Sequence, residues 1–170
     1  MEPRTKVASL VLSAAVLIGI ANHERFSEVA YIPVPGDVPT IGFGTTEGVK
    51  LGDKITVERA LIRLESDANK FAAAIKRCAP VPMYQYEFDA YVSLAYNIGE
   101  GAFCRSTLVK KLLVGDYEGA CKEILRWDKF KGRTLRGLTK RRYLEYQQCM
   151  GIYELNPGDH AGNGGPNTRI

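Results

Sequence analysis

The sequence predicts a mainly helical α+β fold: a small β-hairpin lobe and a helical lobe, preceded by an apolar N-terminal helix. Three observations carry that reading. Residues 7–22 hold no charge. Residues 32–54 are crowded with turn formers, Pro33, Pro35-Gly36-Asp37, Pro39, Gly42, Gly44, Gly48 and Gly52-Asp53, around short β-branched pieces at Thr40-Ile41 and Val49. From Val57 onward apolar residues recur at helical spacing. A chain of 170 residues, 45% apolar and 25% charged, is long enough for one domain with a sizeable core. That composition excludes disordered, collagen-like and coiled-coil classes.

The uncharged run follows Arg4 and Lys6 and precedes His23-Glu24. Eight of its residues are strongly apolar: Val7, Leu10, Val11, Leu12, Val16, Leu17, Ile18 and Ile20. As a helix it would be about 24 Å long, short of the roughly 30 Å hydrocarbon core of a bilayer. Three readings compete: a cleaved signal peptide ending near Gly19-Ile20-Ala21, a weak uncleaved signal anchor, and a buried core helix. The weak anchor, residues 1–22, is favoured, because the segment is retained in a chain running from Met1. It implies an oxidising destination outside the cytoplasm. Its insertion would be marginal, so loss of the membrane potential could release it to pack on the soluble domain.

Thr56 is placed to cap a helix whose stripe is Val57, Ala60, Leu61, Leu64, Ala68, Phe71, Ala72 and Ile75, ending before Pro80. A second helix is expected from about Tyr84 to Ile98, stopped by Gly99. Shorter helices are expected near 106–113, 117–127 and 139–150. The globular domain is assigned to residues 23–154, and the Gly-, Asn- and Pro-rich stretch 155–170 is expected to be a flexible tail.

Cys78, Cys104, Cys121 and Cys149 follow no C-x-x-C pattern. In an exported chain they allow two disulfides with three possible connectivities. The pairing expected is Cys78–Cys149, tying the approach to the second helix to the last one, with Cys104–Cys121 linking the short helices between. The two histidines, His23 and His160, are too few for a zinc hydrolase or a His-based nucleophilic triad. Carboxylate chemistry remains. A net charge of +4 and a pI near 8.9 suit an anionic partner. Nine Lys/Arg between Lys122 and Arg142 stand against Glu123 and Asp128. With no DNA-reading motif, that cluster points to an anionic cell wall rather than nucleic acid.

The stretch from His23 to Gly44 carries the chemistry. A carboxyl at the end of an apolar helix lies beside low-dielectric surface, which favours a retained proton. The following Pro-Gly-Asp turn offers a second, solvated carboxylate, and a threonine hydroxyl comes next. An acid, an ionised partner and a water-positioning hydroxyl are the parts an inverting glycoside hydrolase needs. A surface Glu and a turn Asp with purely structural roles remain the alternative at this point.

This stretch resembles the active-site segment of the phage-type lysozymes, glycoside hydrolase family 24. Further signatures follow in order: Phe88-Asp89-Ala90-Tyr91, Leu94-Ala95-Tyr96-Asn97-Ile98-Gly99, Ala102-Phe103-Cys104-Arg105-Ser106-Thr107-Leu108, Gly119-Ala120-Cys121 with Ile124-Leu125-Arg126-Trp127, then Gly137-Leu138 and Arg141-Arg142 leading to Glu145. The resemblance implies the lysozyme-like two-lobe fold and cleavage of the β-1,4 bond between N-acetylmuramic acid and N-acetylglucosamine. It implies Glu24, seven residues before Tyr31, as the acid in preference to Glu28. Thr40, opening Thr-Ile-Gly-Phe-Gly, matches the family threonine. The family's Asp position falls at Pro33, so the second carboxylate passes to Asp37, the acidic residue in the turn. Thr46, Tyr96, Asn97 and Ser106 are the implied substrate contacts.

No metal or cofactor is implied. The alternatives are a lytic transglycosylase of the same fold, which needs only the Glu, and a non-catalytic basic protein that binds wall or nucleic acid. The N-terminus resembles that of the signal-anchor-release endolysins. The expected partners are therefore peptidoglycan, the host inner membrane through residues 7–22 and, functionally, a holin. The expected state is a monomer tethered to the inner membrane and then released to the periplasm.

Overall fold

The computed structural model describes residues 3–152; the expected tail, 155–170, lies outside them. The uncharged N-terminal run does not form one helix. A 3-10 turn at Val7–Ser9 is followed by an extended stretch and then by α1, Ala14–His23. Ser13 starts α1 by accepting the Val16 N–H on its hydroxyl at 3.1 Å, a side-chain cap that a chain of apolar residues lacks. Val7, Leu10, Val16 and Ile20 are buried in the common core. Among the described residues no helix is long and apolar enough to cross a membrane.

The segment is clipped to the helical lobe by several polar contacts. Arg4 donates from Nε and Nη2 to the buried Glu87 carboxylate, at 3.0 and 2.8 Å, and its guanidinium lies 3.7 Å from the Tyr117 ring centroid. Thr5 forms a backbone bridge to Met83. Farther on, the Ser13 hydroxyl donates to Asp89 at 2.6 Å.

The hairpin lobe begins earlier than the turn-rich region suggests. Strand β1, Ser27–Tyr31, pairs antiparallel with β2, Thr40–Gly42, with Ser27 opposite Gly42, Tyr31 opposite Thr40 and an irregularity between. On its other edge β1 meets the return chain, where Ala30 N–H donates to Asp53 O and Ile55 N–H to Glu28 O, both at 2.9 Å. Gly42 has a φ of +63°, and a Cβ there would stand 3.0 Å from the Ala60 Cβ. Only glycine lets the strand lie this close to the following helix.

That helix is α2, Val57–Cys78, capped by Thr56 as expected. Its 22 residues span about 33 Å and join the lobes through Ala60, Leu64, Ala68, Ala72 and Ile75, all buried. Helix α3, Gln85–Ile98, is the centre of the helical lobe. Phe88 to Ala95 are all buried, and Gly99 ends the helix. After it come α4, Glu100–Cys104, α5, Thr107–Leu113, and α6, Tyr117–Glu123, continued by a 3-10 turn at Ile124–Arg126. Then come β3, Lys129–Phe130, β4, Arg133–Thr134, and α7, Arg136–Cys149.

The structure departs from the sequence expectations at four places here. The short helix α4 and the β3–β4 hairpin were not foreseen, and α7 begins three residues before 139. The hairpin turns through Lys131 and Gly132, both with positive φ, the geometry of a tight two-residue turn. Two-residue strands are too short to show alternation. The disulfides are Cys78–Cys104 and Cys121–Cys149, not Cys78–Cys149 and Cys104–Cys121. Helix α4 is the reason: it folds back on α2 and brings Cys104 to the α2 terminus, with Cα atoms 5.5 Å apart. That leaves Cys121 on α6 facing the end of α7. Each bridge closes a loop of under thirty residues, worth about 3.5 kcal/mol in the chain-entropy picture.

Candidate active site

Glu24 occupies the position just past α1, where the backbone turns extended while its N–H still donates to Ile20 O at 2.9 Å. The helix end fixes the main chain, and a cation fixes the side chain. Arg141 Nη1 donates to Glu24 Oε1 at 2.7 Å. Arg141 is itself buried on α7, donating from Nε to Glu145 Oε1 at 3.1 Å and from Nη2 to Ser93 O at 3.3 Å. The Ser93 hydroxyl donates to the same Glu145 oxygen at 2.7 Å. The apolar setting expected for the acid is thus replaced on one side by a guanidinium anchored in the helical lobe.

On the other side lies bare backbone. A Cβ at Gly44 would stand 3.6 Å from Glu24 Oε2 and 3.8 Å from Tyr96. With φ at +92°, Gly44 presents only main chain to the carboxylate. Tyr96, at the end of α3, donates its phenol to Phe43 O at 2.8 Å. Burial, reinforced by the Asp67 and Glu24 charges, pushes that phenol well above its ordinary value and keeps it a donor. His23 is held below the usual imidazole value by partial desolvation and by the Arg141 cation.

From Gly44 a groove of about 490 Å³ runs between the lobes, lined by Thr46, Glu47, Asp67, Lys70, Phe71, Tyr96, Asn97 and Gly99 among others. Thr45 donates to Asp67 at 2.7 Å. Lys70 bridges Asp67, at 3.1 Å, and Glu47, tying the hairpin lobe to α2 across the groove. Thr46, Tyr96 and Asn97 are therefore brought together in one groove, whose Gly44 edge adjoins the Glu24 carboxylate.

The remaining candidates are not among the residues that line the groove. Asp37 lies exposed in the β1–β2 turn, and its side chain accepts only the Val38 N–H, at 2.9 Å, among the described residues. Thr40 is buried and donates to Val38 O at 3.2 Å. Ser106 caps α5 by accepting the Val109 N–H at 3.2 Å. It lines a second depression with Arg105, Glu123 and Trp127 that shares no residue with the groove. Glu28 is exposed on β1. Among the described residues no group of three or more His, Cys, Asp or Glu could hold a metal ion.

Sequence reasoning counted Arg141 and Arg142 as part of a basic surface; both are buried and face the site. The available signal was their placement three and four residues before Glu145, the spacing of intrahelical ion pairs. Asp67 and Lys70, three apart on α2, carried the same signal.

The sequence profile described as phage lysozyme matches residues 21–145. An endolysin of Acyrthosiphon pisum secondary endosymbiont phage 1 is 46% identical over 110 residues, which are 62% of this chain and 75% of the relative. A protein named SAR-endolysin from Pseudomonas phage phiKMV is 33% identical over 141 residues, 81% of this chain and 87% of the relative. Among solved structures, an endolysin from Escherichia coli O157:H7 phage FAHEc1 superposes with a TM-score of 0.74 at 36% identity, covering 86% of this chain and 98% of the other.

Proposed function

Because the chain belongs to the phage lysozyme family, we propose that it is a phage endolysin whose muramidase activity at the Gly44–Tyr96 groove cleaves peptidoglycan and lyses the host. The observation that carries this reading is the setting of Glu24. It is a carboxyl locked by Arg141 and set against side-chain-free backbone at the head of an open groove.

Glu24 gives its proton to the glycosidic oxygen between N-acetylmuramic acid and N-acetylglucosamine as the bond to the anomeric carbon breaks. A water molecule adds to that carbon from the opposite face, losing its proton to Asp37, with Thr40 holding the water. Turbidity clearing of permeabilised cells, compared between wild type and Glu24→Gln, tests the acid.

Asp37 has no contact with Glu24 and lies in an exposed turn, which favours a second reading: lytic transglycosylase chemistry, in which a substrate hydroxyl replaces water. Anhydro-muramic ends on the released fragments would establish it, and reducing ends would exclude it.

The SAR-endolysin name of several relatives supports export and release. Residues 7–22 would hold the chain at the inner membrane until a holin dissipates the potential, after which they fold into the packed form. Ser9→Leu with Gly19→Leu tests this, because Ser9 is exposed and Gly19 has open space around it. The double variant should stay membrane-bound and fail to lyse. Lysis on schedule would overturn the tether.

A further inference from the structure

The groove amide and the acid share one buried support. Arg142, on α7, is wholly buried, and its Nη2 donates to Asn97 Oδ1 at 2.9 Å. A guanidinium has donors only, so the amide oxygen must face Arg142 and the NH2 group is left to face the groove that Asn97 lines. Glu145, also buried, lies between the two arginines. Its Oε1 takes the Arg141 Nε, and its Oε2 stands 3.0 Å from Arg142 Nε. One arginine holds Glu24 and the other holds Asn97, with two cations against two anions in the cluster.

Stability alone does not account for Arg142. Its Nη1 has no hydrogen-bond partner among the described residues, and a buried guanidinium incompletely paired is a poor stabiliser compared with an apolar side chain of similar size. What the arginine does accomplish is to choose which end of the amide meets a ligand.

We infer that Arg142 and Glu145 are positioning residues that aim the Asn97 NH2 donors into the groove, where they take a neutral carbonyl acceptor, the acetamido oxygen of an N-acetyl sugar. This rests on the muramidase reading of the groove. The acid and the acetamido contact are then set at a fixed spacing by one carboxylate, so that the sugar that fits the amide is also the one whose glycosidic oxygen reaches Glu24.

Asn97→Asp is the discriminating variant, since an aspartate keeps an oxygen for Arg142 and turns a second oxygen, an acceptor, to the groove. Steady-state kinetics on soluble glycan strands should show KM raised about 10-fold, one hydrogen bond's worth, with kcat within about twofold. Wild type should prefer N-acetylated over chemically de-N-acetylated strands, and Asn97→Asp should lose that preference. Glu145→Gln should raise KM and lower kcat together, because it loosens both arginines.

Titration of both strand types into Glu24→Gln protein by calorimetry gives the same comparison without turnover, so absent cleavage would count against the enzyme reading alone. Unchanged KM and retained preference in Asn97→Asp would overturn the proposal. So would a Glu145→Gln protein that loses thermal stability while keeping both kinetic constants.

Discussion

Glu24 and Asp37 are thirteen positions apart in one short lobe, yet they are held in opposite ways. Glu24 is tied to Arg141, which is tied to Glu145 and Ser93, so its carboxylate is positioned by the core of the other lobe. Asp37 takes one local N–H in a solvent-exposed turn. Asp89 supplies a third case, a buried carboxylate with only neutral partners, Ser13 and Gln85. Burial alone pushes its carboxyl above the ordinary value. A carboxylate is fixed in place here when its partner is a buried cation, and it is free when its partner is its own turn.

The largest effect expected from breaking that contrast is at the cation. Arg141→Met leaves Glu145 and Glu24 without their shared partner, and removing one member of a buried ion cluster costs about 3–5 kcal/mol; chemical denaturation would read it. Next comes the acid itself. Glu24→Gln should lower the rate by about 100-fold or more with the fold retained by circular dichroism, because the amide oxygen can still accept from Arg141, while Glu28→Gln, exposed on β1, should stay within about twofold. Loss of activity at Glu28 in place of Glu24 would move the acid onto β1.

Asp37→Asn should leave stability within about 0.5 kcal/mol, as exposed sites do. Under the water-activating mechanism it should slow hydrolysis about 100-fold or more, a general-base contribution. Retained activity together with anhydro-muramic products would favour the transglycosylase.

The smallest effect is at Asp89. A carboxyl whose folded value is raised contributes stability at low pH, below its ordinary value, and that contribution is lost as pH rises through the folded value. The stability of Asp89→Asn relative to wild type should therefore improve as the pH is raised from about 3 to 7. A flat difference in urea titrations across that range would mean that the Ser13 and Gln85 hydrogen bonds offset the burial.

Much of the frame was legible because it is written locally. Thr56 caps α2 and Gly99 stops α3 as their side-chain chemistry requires. Glu24, Thr46, Tyr96 and Asn97 were identified by motif, and the last three line one groove. The β3–β4 hairpin and α4 were hidden because each is shorter than the period needed to see it. The disulfide pairing failed for the same reason, since the missed α4 is what turns Cys104 toward α2.

The sequence by itself determined the turn-rich lobe, the long connecting helix with its Thr56 cap and the stop of α3 at Gly99. These depend on neighbours within a few positions, through capping, glycine φ angles and helical periodicity. Only the tertiary structure decided what an uncharged N-terminal run does once folded, which cysteines meet, and that two arginines of a basic stretch turn inward. Those outcomes depend on contacts such as Glu24 to Arg141, 117 residues apart. A charge reads as surface in a sequence until packing places its counter-charge beside it.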